Sequence, residues 1–274
     1  MQINCKGKLI DLSKPHIMGI LNITNDSFYD GGKNNEKEEA LRQTEKMINE
    51  GATFIDIGGV STRPGSEAVS EEIELERVIP IVELLVNEFP EILISVDTYR
   101  SKVAQLSVEA GAAIINDISA GLFDDQLFKT VAKLKVPYIL MHIKGLPKDM
   151  QLNPKYENIT LEVNQFFSEK INELRTLGVN DIILDPGFGF GKNVTHNYTL
   201  MKEMDLLGFG EFPLLVGISR KSMIRSILEN TPEQALNGTT ILNFYSLQKG
   251  AKILRVHDVK EAMEAIKLWE VLKP

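Results

Sequence analysis

The sequence predicts a single-domain α/β protein, a (β/α)8 TIM barrel spanning residues 1–274. Three observations point there. Short Ile- and Val-rich runs recur eight times, amphipathic segments separate them, and no composition shift or low-complexity linker marks a second domain. Strands alternating with helices also suit an open doubly wound sheet. The count of eight and a length near the ~250 residues usual for a barrel favour closure.

In chain order the predicted strands are HIMGIL (16–21), TFIDIG (53–58), ILISVD (92–97), AAIIND (112–117), PYILMH (137–142), DIILDP (181–186), FPLLVG (212–217) and KILRVH (252–257). Most lack clean alternation, as parallel strands covered on both faces should. After the first strand Ala40, Leu41, Thr44, Met47 and Ile48 share a helical face, and Gly51 is a suitable stop. After the second, EEIELERVIPIVELLVNE is helical in composition, with Pro80 expected to kink it. Further helices are expected over 159–177, ending before Gly178, and over 235–249, ending before Gly250. The last helix repeats Val259, Ala262, Met263 and Ile266 at helical spacing, with Asp258 as its N-cap.

Composition narrows the function. The chain is 43% hydrophobic and 25% charged with a formal net charge of −8, which argues against a nucleic-acid footprint but leaves room for a local basic pocket. One cysteine, Cys5, precludes an internal disulfide and suggests a reducing, cytoplasmic setting. No stretch reaches the ~20 apolar residues of a membrane span, and the N-terminal residues lack a signal-type apolar core.

In a barrel, chemistry sits where the strands end. Reading those positions in turn yields Asn22, Gly58 and Gly59, Asp97, Asn116, His142, Asp185, Ser219 to Lys221, and Arg255 with His257. Any one could be a helix cap, but the shared phase is better explained as the lining of one cavity. Asp97, Asn116 and Asp185 suit a heterocycle with several N–H donors and carbonyl acceptors. Arg63, Lys221, Arg255 and His257 form an opposite, anion-binding pole, and a helix start near Lys221 and Ser222 adds free N–H groups. DPGFGFGK (185–192) lacks the Walker ending and the full dinucleotide fingerprint, so its glycines are expected to let backbone approach a flat ligand, with Phe188 or Phe190 beside it. His142 stands alone, no His/Cys cluster has zinc spacing, and Ser219 lacks both a G-x-S-x-G setting and an evident base.

Taken together, MGILNITNDSFYDGG, FIDIGGVSTRPGS, ISVDTYR, IINDISAG, LDPGFGFGK, GISRKS and RVHDV resemble the dihydropteroate synthase family, in the family's order and over residues 15–274. That resemblance implies a pterin-binding barrel, usually a homodimer, that condenses 4-aminobenzoate with a dihydropterin methyl diphosphate with Mg2+ assistance. It implies a pterin site of Asp97, Asn116, Met141, Asp185, Gly217, Lys221 and Arg255, with Asp97, Asp185, Lys221 and Arg255 catalytic. It assigns diphosphate to Asn22, Thr62, Arg63, Arg255 and His257, with Asn22 beside the metal. Aminobenzoate falls to Thr62, Arg63, Pro64, Phe190, Lys221 and Ser222. Two positions depart from the family pattern: Asn25 stands where proline is common and Tyr29 where a small residue is, so the loop is expected to be freer than usual. The rivals are a methyltetrahydrofolate-dependent methyltransferase, which would not need the anion pole, and a non-catalytic pterin-binding paralogue.

Overall fold

The computed structural model describes residues 1–23, 32–60, 69–147 and 149–272. Eight strands, β3 (His16–Asn22), β4 (Phe54–Gly58), β5 (Leu93–Asp97), β6 (Ile114–Asp117), β7 (Tyr138–Met141), β8 (Ile182–Asp185), β9 (Leu214–Val216) and β10 (Ala251–Val256), close into a barrel, with β10 pairing β3. Each is one of the eight runs expected from sequence, with ends shifted by a residue or two. Neighbours are parallel throughout.

The two-residue period of a strand sorts the side chains. Ile17, Leu21, Ile55, Ile57, Ile94, Val96, Ile115, Leu140, Leu184, Val216 and Leu254 face outward into one large core shared with the helices. Met18, Phe54, Leu93, Ile114, Ile139, Ile183, Leu215 and Ile253 face inward and fill the lower barrel. The helices supplying the outer layer are α1 (Gly32–Asn49), α2 (Glu71–Glu88), α3 (Ser101–Glu109), α4 (Leu127–Leu134), α5 (Ile159–Thr176), α6 (Val194–Lys202), α7 (Ser222–Leu228), α8 (Leu236–Gln248) and α9 (Val259–Leu272). Helix α2 continues through Pro80. Glu76, whose carbonyl loses its usual partner there, is an exposed residue, which keeps the cost of the proline low.

Ahead of the barrel, β1 (Gln2–Cys5) and β2 (Lys8–Asp11) pair antiparallel. Lys6 and Gly7 turn the chain with positive φ at both positions, the backbone of a tight hairpin. Ile3, Cys5, Ile10 and Leu12 pack onto the inward Met18–Ile253 layer, so the hairpin plugs the N-terminal end of the barrel. These four-residue strands were not expected from sequence; too few alternating positions carry the pattern.

Candidate active site

Two or four residues beyond each inward apolar side chain the same face reaches the open C-terminal end: four in β3, β4 and β5, two in the other strands. Asn22 is in register with Gly58, Gly58 with Asp97, Asp97 with Asn116, and Met141 with Asp185. Periodicity alone therefore brings Asn22, Asp97, Asn116, Met141, Asp185, Gly217 and Arg255 to one mouth. Met141 is buried in a small apolar cluster on which Phe190 packs. A Cβ on Gly217 would touch the Arg255 stem at 3.8 Å, so glycine there leaves the arginine room to lie over the strand end.

Arg255 is the centre of the charge network. Its Nε donates to Asp56 Oδ2 at 2.7 Å and an Nη to Asp97 Oδ2 at 2.9 Å. Asn116 Nδ2 donates to the same Asp56 oxygen at 2.9 Å. Burial opposes the Arg255 charge, but Asp56 and Asp97 outweigh it. Burial also pushes the Asp97 carboxyl up to about 7, with Arg255 pulling it down and Asp56 pushing it up. Asp185 is raised by burial against the pull of Lys221, and its Oδ1 accepts from the Gly187 N–H at 2.7 Å. Lys221 is lowered to about 8 by burial, with Asp185 opposing. Its ammonium donates to the Phe188 carbonyl at 2.5 Å and stands 4.9 Å from the Phe190 ring centre. Ser222 opens α7 directly after it.

Several expectations need correcting. Gly187 and Gly191 do not make room for a ligand: a Cβ would meet the carbonyl oxygens of His142 at 2.0 Å and Lys144 at 2.2 Å. They let the loop lie against the chain leaving β7. Phe188 is fully buried in the outer core, leaving Phe190 as the ring beside Lys221 at the barrel mouth. His142 is buried and accepts from Lys192 Nζ at 2.8 Å through Nδ1, so it braces the loop and does not line the mouth. Arg220 is held bidentate by Asp258, at 3.0 and 2.6 Å, and is drawn away from the anion-binding set; Asp258 stands immediately before α9, at the N-cap position expected of it. Ser219 does have a base partner. Its Oγ lies 2.9 Å from His257 Nδ1 and accepts from the His257 N–H at 3.2 Å, so the hydroxyl anchors the histidine beside Arg255. Thr62, Arg63 and Pro64, with Asn25 and Tyr29, lie outside the described residues.

Two buried residues at the site escaped the sequence reading. Asp56 sits mid-strand in β4, where an acid reads as an interruption of an apolar run; only its inward phase with Phe54 and Gly58 could have revealed it. Lys192 ends the glycine loop, and its buried ammonium donates to the carbonyls of Gly187 at 2.9 Å and Phe190 at 3.0 Å as well as to His142. Asp117, one residue past Asn116, faces the other way and binds the Tyr138 hydroxyl and the Ser119 and Gly121 amides, a structural role.

A barrel mouth with a carboxylate–amide edge and a pair of buried cations defines an enzyme that holds a polar heterocycle bearing an anionic group. The family model described as pterin binding enzyme matches residues 18–257. The dihydropteroate synthase of Escherichia coli K12 is 46% identical over 98% of this chain and 96% of its own length, and that of Haemophilus influenzae is 44% identical over 98% of both. The Yersinia pestis synthase, solved as a sulfonamide drug complex, superposes with a TM-score of 0.93 at 44% identity over 100% of this chain and 99% of that one. A Xanthomonas albilineans synthase in complex with 7,8-dihydropteroate superposes at 0.89 with 36% identity, over 100% of this chain and 99% of that one. The chain belongs to the pterin-binding enzymes and, among them, to the dihydropteroate synthases, which are transferases.

Proposed function

We propose that the Arg255-centred cavity is where this chain joins 4-aminobenzoate to (7,8-dihydropterin-6-yl)methyl diphosphate, giving 7,8-dihydropteroate and diphosphate. The observation that carries the reading is the convergence of Asp97, Asn116 and Asp185 with Arg255 and Lys221 on one strand-end layer. Asp97, Asn116 and Asp185 accept from the N–H groups of the pterin edge, Met141 and Gly217 line its plane, and Arg255 covers its face. Lys221 exchanges its bond to the Phe188 carbonyl for one to the pterin. Asn22, Arg255 and His257, with Thr62 and Arg63, hold the diphosphate. Thr62, Arg63, Pro64, Phe190, Lys221 and Ser222 surround the aminobenzoate, a ligand with which a Xanthomonas albilineans relative has been solved.

The chemistry follows from the charges. Carbon–oxygen cleavage leaves positive charge that the dihydropterin ring delocalises, and Asp97 and Asp185 oppose it in a site of low dielectric. Positive charge from Arg255 stabilises the leaving diphosphate, and the His257 ring beside it offers a hydrogen bond. The aniline nitrogen then attacks the exocyclic carbon and loses its proton afterwards, so no protein nucleophile is required. Among the described residues no group of three His, Cys, Asp or Glu side chains could hold a metal. A Cβ on Gly58 would nevertheless touch Asn22 Oδ1 at 3.6 Å and Asp97 Oδ2 at 4.0 Å, so two hard oxygens face one small space. That suits Mg2+, which takes few protein ligands when phosphate oxygens and water complete its shell. Asn22 would hold it with the diphosphate, and the ion would supply neutralisation of leaving-group charge.

We place the protein in the cytoplasm as a homodimer. Among the described residues no helix is long and apolar enough to cross a membrane. Ile227 and Leu228 on α7, Ile241 on α8 and Leu268 on α9 are exposed large apolar side chains on helices that follow one another, a face suited to a second copy. The functional test mixes the purified protein with the pterin diphosphate, 4-aminobenzoate and Mg2+. Dihydropteroate is the expected product, with sulfonamides competing against aminobenzoate. A folded protein that makes none refutes the reading, and purely noncompetitive inhibition refutes the aminobenzoate assignment.

A further inference from the structure

We infer that Asp56, one layer below the cavity, is a positioning residue that sets both the plane of the Arg255 guanidinium and the orientation of the Asn116 amide. The inference rests on the reading of Arg255 and Asn116 as pterin-site residues. A carboxylate accepts and cannot donate, so only the NH2 side of Asn116 can meet Asp56 Oδ2 at 2.9 Å. The Asn116 carbonyl oxygen is thereby left to accept from a substrate N–H. The same oxygen takes Arg255 Nε at 2.7 Å while Asp97 takes an Nη at 2.9 Å, and separate acceptors on two of its nitrogens fix the plane of a rigid guanidinium.

Stability alone does not account for an acid here. Asp56 is fully buried, its neighbour in register on β5 is the buried Ser95, and both Asp56 Oδ1 and Ser95 Oγ lack a hydrogen-bond partner among the described residues. An apolar pair of similar size would fill that layer without stranding two polar atoms. What the carboxylate adds is the one oxygen shared by Asn116 and Arg255. Because that oxygen serves both, its loss disturbs two pterin contacts together.

The test measures pterin diphosphate affinity by calorimetry, without aminobenzoate, for the wild type, Asp56→Asn, Asn116→Ala, Arg255→Gln and the Asp56→Asn/Arg255→Gln double variant. In Asp56→Asn the acceptor-only group becomes half donor, which releases or reverses Asn116. The expected result is at least ~10-fold weaker binding in Asp56→Asn, the scale of a lost charged hydrogen bond. Added to Arg255→Gln, the same change should cost less than ~3-fold more, since the two act as one unit. KM for 4-aminobenzoate should move by less than ~3-fold, because the affected contacts are on the pterin side. A purely structural role would lower the melting temperature and the active fraction while leaving the affinity of the folded molecules unchanged. Asp56→Ser carries the same expectation if the asparagine variant does not fold. Wild-type affinity in Asp56→Asn, or full additivity in the double variant, overturns the inference. Wild-type affinity in both Arg255→Gln and Asn116→Ala would instead overturn the pterin-site reading, and this inference with it.

Discussion

Replacing Arg255 with methionine keeps most of the aliphatic stem and removes the charge that holds two buried carboxylates. The lost contacts are 2.7 Å to Asp56 and 2.9 Å to Asp97. Removing one partner of a buried ion pair costs about 3–5 kcal/mol when the stranded charge persists. Here the stranded charge has an escape: Asp97 is already raised to about 7 by burial, and Arg255 is what pulls it down. Without the guanidinium its folded value rises further above the ordinary carboxylate range. A folded-state value above the unfolded one means that the native state binds the proton more tightly. The associated stability is full below the unfolded value and is lost as pH rises through the folded value. The variant should therefore lose extra stability in the window above pH 7, at up to about 1.4 kcal/mol per pH unit. Thermal unfolding at pH 6 and pH 8.5 measures it. At about 2–4 °C per kcal/mol for a chain approaching this size, the deficit should approach ~6–20 °C at pH 8.5 and be clearly smaller at pH 6. Turnover should fall by ~10-fold or more at either pH. A deficit equal at the two pH values, or below ~2 °C at both, would refute the argument that Arg255 neutralises Asp56 and Asp97.

The remaining predictions concern the pH profile and the glycine loop. Activity on the pterin diphosphate should fall below about pH 7 as Asp97 takes a proton and above about pH 8 as Lys221 loses one; Lys221→Arg should abolish the basic limb in whatever activity it retains, and a limb that persists would assign it elsewhere. Lys192→Met strands the carbonyls of Gly187 and Phe190 and should speed amide exchange across 187–191, with ~2 kcal/mol lost in urea unfolding; unchanged exchange would show that the ammonium does not organise the loop. Gly187→Ala forces a Cβ to 2.0 Å from the His142 carbonyl oxygen at φ +66°, whereas Gly178→Ala, at φ +87°, meets nothing within 4 Å. The first should cost well over the ~1 kcal/mol of backbone strain expected of the second, and equal unfolding midpoints would refute the close loop packing.

The eight barrel strands were legible from sequence because each is a short apolar run buried on both faces. Asn22, Asp97, Asn116, Asp185 and Arg255 were legible because a polar residue at the end of such a run has few places to go except the barrel mouth. The hairpin over residues 2–11 was not, since four-residue strands carry too little periodicity and their partner is the floor of a barrel closed by residues far along the chain. His142 and Arg220 also lie where an apolar run ends, yet Lys192 and Asp258 claim them; only folding shows that a polar group already has a partner. The glycines of DPGFGFGK signal close approach in either reading, and only the packing shows that what approaches Gly187 and Gly191 is the chain leaving β7. Asp56 is the clearest case. In the linear sequence it is an acid inside an apolar run, and its meaning comes from Asn116 and Arg255, 60 and 199 residues away. Local pattern thus determined which residues could reach the mouth, while tertiary structure decided which of them are held there, because a hydrogen bond or ion pair exists only once both partners are in place.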